Sequence, residues 1–248
     1  GTVFSAADYV TLANEKIRDV LGRGKLPIIV GGTGLYINSL LNNVNFSEAK
    51  SDEAYRDRLY GIARERGNEV LYKMLTDADP EAAAAVHMNN LVRVVRALEV
   101  IHVTGRKFSE LKAESRLVES PYDSVIIGLN TSERAVLYDR INQRVDEMAA
   151  AGLVEEARQL WQEGEMKTAA NAIGYKELIP YFENNMSLDV CIDKIKQETR
   201  RYAKRQLTWF RRNDRIEWII FDDFSKKCEI LEKSQKAIAK HGIMCYNV

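Results

Sequence analysis

The pattern of apolar and polar residues divides the chain into stretches of different character. In the first, Val10, Ala13, Ile17, Val20 and Leu21 recur at helical spacing behind Ser5, and Asp8 stands where a capping box would need it. Gly22 and Gly24 stop that helix. Leu26 to Val30 is a continuous apolar run, as expected of a strand buried on both faces. Gly31, Gly32 and Gly34 make a tight turn, and Thr33 can cap a helix over 35–41. Helix, short loop, buried strand, glycine turn and helix is the order of a parallel α/β sheet.

From Ser47 to Ser120 no buried strand is evident. The spacing predicts helices over 52–65, 69–75, 80–86 and 91–104. Asp79 before Pro80 reads as an N-cap with proline at the first helical position, Asn89 and Asn90 can cap the next helix, and Gly105 stops it. Val94, Val95, Leu98 and Ile101 form its core-like stripe, while Arg93 and Arg96 lie one turn apart and point outward. The stretch reads as a helical insertion between two strands, closing in polar residues 112–120 and Pro121. After it, residues 124–129 predict a second buried strand. A long helix follows with Leu137, Ile141, Val145 and Met148 inward, ended by Gly152. A helix over 154–162, the segment AIGYKEL at 172–178, a helix capped by Ser187, a late strand over 215–221 and an amphipathic helix over 226–239 complete the chain. The expected class is α/β, with an α/β core domain from 1–46 and 122–248 and a helical insertion domain from 47–121.

Composition changes this picture little. With 248 residues, 46% of them hydrophobic, the chain can bury a real core in one large or two modest domains. Net charge is +0, so bulk electrostatics announces no polyanion. Cys191, Cys228 and Cys245 match no zinc or redox spacing, and Cys228, His241 and Cys245 lack a fourth metal ligand. No apolar run approaches a membrane span. The expectation is a soluble, cytoplasmic protein that uses no membrane and holds no metal through its own side chains.

One local charge cluster stands out. Residues 194–215 carry Lys194, Lys196, Arg200, Arg201, Lys204, Arg205, Arg211, Arg212 and Arg215 against Glu198 and Asp214 alone. On a helix, Arg200, Lys204 and Arg211 fall along one side with Arg201, Arg205 and Arg212 beside them. Ile195, Tyr202 and Trp209 mark another side. Such a ladder suits a phosphodiester or a diphosphate; a solvated basic face above a core stripe is the other reading. The glycine turn is equally open. Ligands of parallel sheets bind beyond the carboxyl ends of strands, where Gly31 to Thr33 would sit. The turn is neither GxxxxGK[ST] nor GxGxxG, and a purely structural strand-to-helix turn accounts for it too.

Taken together, LPIIVGGTGLY (26–36), RVVRALEVIHVTG (93–105), LYDRINQRVDEMAAAGLVEE (137–156), AIGYKEL (172–178) and TRRYAKRQLTWFRR (199–212) resemble the bacterial tRNA dimethylallyltransferases, isopentenyltransferases that modify tRNA. The resemblance spans nearly the whole chain in the family's order. It implies a P-loop-NTPase-like parallel sheet with helices on both faces, and transfer of a dimethylallyl group from dimethylallyl diphosphate to the exocyclic amine of the adenosine 3′ of the tRNA anticodon. Thr33 and Arg200 are the implied catalytic pair. By the resemblance, Thr33 lies in the reaction channel and contacts the target nucleotide and the donor, and Arg200 faces the diphosphate. Lys204, Arg205 and Gln206 follow as phosphate contacts. Arg56, Val92, Arg93, Val94, Val95 and Arg96 are the implied tRNA face, with surface charge alone as the alternative for the arginines. Mg²⁺ is the implied cofactor, and the enzyme is expected to be a monomer. Tyr175 and Lys176 line the tRNA side or hold two helices together, and His87 and His102 are read as structural. Family members open on a phosphate-binding loop and a catalytic aspartate, and the resemblance begins just after them at Gly1. The expectation is therefore a piece with its first strands missing and little activity alone. A P-loop nucleotide kinase relative and a non-catalytic RNA-binding module are the competing functions.

Overall fold

The computed structural model describes residues 4–42, 51–115, 120–164 and 172–242. The boundary read at Ser47, the end of the polar stretch before Ser120, Gly1 and Cys245 lie outside them. The chain forms two compact units, one of Phe4–Gly31 with Leu35–Asp123, the other built mainly of Ser124–Val248 and including Gly32–Gly34. Residues 4–31 thus group with the helical segment.

The helical unit begins with α1 (Ala6–Gly22), whose capping box has both halves: Ser5 Oγ accepts from the Asp8 N–H, and Asp8 accepts from the Ser5 N–H. Then comes the main departure from the sequence pattern. Leu26 to Val30 forms no strand and pairs with nothing among the described residues. Ile28 is 78% and Val30 91% exposed. An apolar run specifies that a strand would be buried, but a strand exists only where a neighbour takes its N–H and C=O groups. The helix after the turn, α2 (Gly34–Leu41), buries Ser39 and Leu40.

α3 (Glu53–Arg66), α4 (Asn68–Ala78), α5 (Pro80–Ala84) and α6 (Leu91–Thr104) enclose the first core. Leu59 and Ala63 meet Leu71 and Leu75, Ala82 and Ala83, and Val94, Val95, Ala97 and Leu98. Gly105 ends α6 in the left-handed region at φ 67°, where only glycine is unstrained. A short helix follows, α7 (Phe108–Glu114), which the polar composition concealed. Its anchor is remote in sequence. The buried Asp79 carboxylate accepts from the Ala82 N–H at the start of α5, and also from the N–H and hydroxyl of Ser109 in α7. Burial alone would push the Asp79 carboxyl up, but these donors together outweigh it and hold it below the usual range.

The folded carboxyl therefore binds its proton less readily than the unfolded one. Its stabilisation is complete above about pH 4, the unfolded value, and is lost as pH falls through the lower folded value. Asp79→Asn is expected to cost about 1–3 kcal/mol near neutrality. It should also flatten the acid limb of stability below about pH 4. Thermal melts across that range check both. An acid limb as steep as the parent's would exclude Asp79 as its source.

In the other unit, β1 (Ile126–Asn130) and β2 (Ile216–Ile220) pair in parallel from Ile126↔Ile216 to Asn130↔Ile220. The sheet is parallel, as the sequence grammar requires, and the class is α/β. Between the strands run α8 (Arg134–Ala150), α9 (Leu153–Gln162), a single 3₁₀ turn at Lys176–Leu178, α10 (Ile179–Phe182) and the basic helix α11 (Leu188–Phe210). Gly152, at φ 103°, turns the chain from α8 into α9. Val145, Leu153, Val154, Ala157, Leu178, Phe182, Cys191 and Ile195 form the second core. α12 (Lys227–Lys240) packs after β2. No helix of the described residues is long and apolar enough to cross a membrane.

Candidate functional site

α11 is an amphipathic helix whose inner face carries Cys191 and Ile195, each 1% exposed. Burial pushes the Cys191 thiol up, which leaves it a packing residue without nucleophilic character. Next to that face two cations are tied to α8. Lys196 Nζ lies 2.6 Å from Asp146 Oδ1, and Arg200 Nη1 donates to Asn142 Oδ1. Each pair repeats at a spacing of four, so two antiparallel helices are joined at successive turns. Arg201 is paired with Glu198 at 2.6 Å, and the Arg205 guanidinium lies 5.7 Å over the Tyr202 ring. Lys204, Arg205, Arg211 and Arg212 are exposed. The ladder expected from the sequence exists, but its first cations are engaged: Lys196 by Asp146, Arg200 by the neutral Asn142 amide and Arg201 by Glu198. The stripe of Ile195, Tyr202 and Trp209 is not one core face either, since Tyr202 is 37% exposed.

The glycine turn is docked on the same helix. Gln206 Nε2 donates to the Gly32 carbonyl at 2.9 Å. The Trp209 indole covers Gly34 so closely that a Cβ there would lie 2.2 Å from Trp209 Cδ1. Thr33, between the two glycines, is exposed. Thr33 and Gln206 are thus brought together. Arg200 lies on the same helix, roughly 9 Å back along the axis and about a third of a turn around it. Gln206, read from sequence as a diphosphate contact, has its amide committed to the turn. By spacing alone Trp209 is a packing aromatic, and Asn142 carries no signal by itself. Its spacing with Asp146 opposite Lys196 and Arg200 was the available signal.

The expected tRNA residues fall in the helical unit. Val92 is 68% exposed and Arg93 is exposed. Val94 and Val95 are core residues at 0% and 1% exposure, so their side chains cannot meet a ligand. That corrects their inclusion in a contiguous binding segment: successive helical residues turn through about 100°, and these two face inward. Arg56 and Arg96 converge on Glu99, which no sequence reading singled out. Its carboxylate accepts from Arg56 Nε at 2.8 Å, Arg96 Nη1 at 2.6 Å and the Asp52 N–H at 2.9 Å. Burial would raise the Glu99 carboxyl, but Arg96, the Asp52 N–H and Arg56 overcome it and keep it charged.

His102 stacks on Tyr55 at 3.9 Å and lies 3.7 Å from Asp52, and His87 Nδ1 accepts from the Asn89 N–H. Both are local structural contacts. The Tyr175 hydroxyl donates to Glu156 at 2.8 Å, tying the 172–178 segment to α9. Among the described residues no three His, Cys, Asp or Glu side chains could hold a metal ion.

Comparison with known proteins decides the family. The IPP transferase family model matches residues 1–213. The chain belongs to that family. Among relatives, the tRNA dimethylallyltransferase of Geobacillus thermodenitrificans is 50% identical over 237 residues, covering 95% of this chain and 75% of its own. That of a Thermoanaerobacter species is 47% identical over 234 residues, covering 93% and 74%. Of solved family members, the full-length tRNA isopentenylpyrophosphate transferase of Bacillus halodurans is 42% identical with a TM-score of 0.63, covering 96% of this chain and 75% of that one. A eukaryotic dimethylallyltransferase acting on tRNA is 28% identical with a TM-score of 0.79, covering 96% and 61%.

Proposed function

We propose that the protein transfers a dimethylallyl group from dimethylallyl diphosphate to the exocyclic amine of the adenosine 3′ of the tRNA anticodon. The observation that supports this best is the docking of the Thr33 turn by Gln206 and Trp209 on the helix that carries Arg200, Lys204 and Arg205. A small exposed hydroxyl and a row of cations share one rigid support. The hydroxyl can orient the nucleotide by hydrogen bonding, but it is no base. An adenine amine is a weak nucleophile that must lose a proton as the new C–N bond forms, and by the family resemblance an aspartate carboxylate takes it. The departing diphosphate gathers negative charge and needs fixed cations. In this reading Arg200 faces the diphosphate, with Lys204 and Arg205 as further phosphate contacts, and Thr33 meets the target nucleotide. Gln206 holds the turn. The target base leaves its stack to reach the donor, at a cost of a few kcal/mol. Arg56, Arg93 and Arg96 meet the anticodon stem-loop.

Mg²⁺ enters this reading with the diphosphate, the usual manner for a metal held by few or no protein ligands. The described side chains supply no complete site for it, and no step here is routed through it. The domain reading, an α/β core with a helical insertion over 47–121, and a monomeric state belong to the same proposal.

The test is incubation with dimethylallyl diphosphate, Mg²⁺ and an unmodified tRNA bearing adenosine 3′ of the anticodon, followed by nucleoside mass spectrometry. It is run with the 248-residue chain. A mass gain confined to that adenosine is expected. Phosphoryl transfer to a nucleotide, with no prenylated nucleoside, would favour the kinase reading.

A further inference from the structure

The Arg56–Glu99–Arg96 cluster has more guanidinium than its core requires. Glu99 is 0% exposed, at a position of α6 flanked by the core residues Leu98 and Val100. A carboxylate buried there needs partners, and the Asp52 N–H with one arginine would suffice. Two arginines are present, from different helices, and each is engaged on one edge only. Arg56 uses Nε and Arg96 uses Nη1, while their side chains remain 37% and 38% exposed. Both Nη groups of Arg56, and Nη2 and Nε of Arg96, are outside these contacts with Glu99. Two guanidiniums against one carboxylate leave one positive charge, spread over two heads whose positions are already set. Arg93 stands one turn earlier on α6, also exposed. Guanidinium forks match the oxygens of a phosphate in number and plane, and a head fixed beforehand loses less freedom when it binds.

We infer that Glu99 is a positioning residue that joins Arg56 and Arg96 into one two-guanidinium fork, and that this fork takes a single phosphodiester group of the RNA backbone. The inference rests on the tRNA reading above and adds to it a division of labour. The two arginines act as one contact, and a buried residue that never touches the RNA sets their spacing. Two independent surface arginines would each neutralise their own phosphate.

The experiment is tRNA binding by fluorescence anisotropy over a series of salt concentrations, with circular dichroism melts to verify folding. Arg56→Ala, Arg96→Ala and the double variant should each lower the salt slope by the same amount, about one, because each loses the same contact. A double variant whose slope falls by about two overturns the shared fork. Glu99→Gln raises the net charge by one. If Glu99 were a bystander, that added charge would tighten binding. As a positioning residue its loss weakens binding, roughly three- to tenfold, because both heads come free. Should Glu99→Gln fail to fold, Arg56→Lys carries the same question, since it keeps the charge but not the fork. It should bind less tightly than the parent, and parental affinity overturns the proposal. A parent chain that does not bind tRNA at all overturns the RNA reading together with the fork. A parent that binds, with Glu99→Gln as tight or tighter, overturns only the positioning role.

Discussion

Arg200→Ala lowers prenyl-transfer turnover at saturating tRNA by about 10²–10³-fold, the loss that follows removal of one donor aimed at developing charge. The expectation comes from where the side chain is held. Arg200 is half-buried beside α8, with Nη1 engaged by Asn142, so its guanidinium is partly removed from water and has a fixed direction. A cation in that setting stabilises a leaving diphosphate more than a mobile surface lysine would, because it needs no reorganisation when the charge appears. Arg200→Lys keeps the charge but not the planar fork, and should recover only part of the rate. Steady-state kinetics with each substrate varied separately decides the matter. If saturating tRNA restores full turnover to Arg200→Ala, the residue belongs to the RNA surface and not to the chemistry.

Gly34→Ala should produce the second large effect. The added methyl would meet the Trp209 indole at distances that no real side chain tolerates, 2.2 Å to Cδ1 and 2.4 Å to Nε1. The indole is a rigid ring and cannot fold away as the Gln206 amide could. Its Nε1 is already buried without a hydrogen-bond partner among the described residues, so moving it forfeits no hydrogen bond and the cost is one of packing. Overpacking of this kind costs about 1–3 kcal/mol. If the displacement passes to Thr33 during the reaction, turnover falls roughly tenfold to a hundredfold. Shrinking the partner should relieve it, and a Gly34→Ala, Trp209→Leu pair is expected to recover part of the lost rate. Wild-type turnover in the single Gly34→Ala variant would mean that the location of Thr33 is immaterial.

Much of the architecture was legible in the sequence because its signals are local. The Ser5–Asp8 capping box, the Asp79–Pro80 start of α5, the α6 span ending at Gly105 and the two paired strands all follow from residues within a few positions of each other. What could not be read needed a partner from elsewhere. Leu26 to Val30 has strand composition but no neighbour to pair with among the described residues, and α7 is anchored by Asp79 rather than by its own cap.

The candidate site divides in the same way. Arg93 and Arg96 could be seen to point outward from their spacing, and the basic helix from its charges. Val94 and Val95 belong to the tRNA segment that the resemblance implies, although helical geometry turns their side chains inward. Glu99 carries a signal of its own: a carboxylate inside an apolar stripe implies cations opposite it. The role of Gln206 was hidden, because its partner is a backbone carbonyl far away in the chain and no side-chain pattern marks such an acceptor.

The paired ties between α8 and α11 have a geometric consequence. A rod held at one point can still swivel, whereas a rod held at two successive turns cannot. Asn142 and Asp146 therefore fix the heading of α11 about its own long axis, and with it the compass bearing of every cation farther along, Lys204 and Arg205 included. The direction in which this helix presents its charge is set by an amide and a carboxylate on its neighbour.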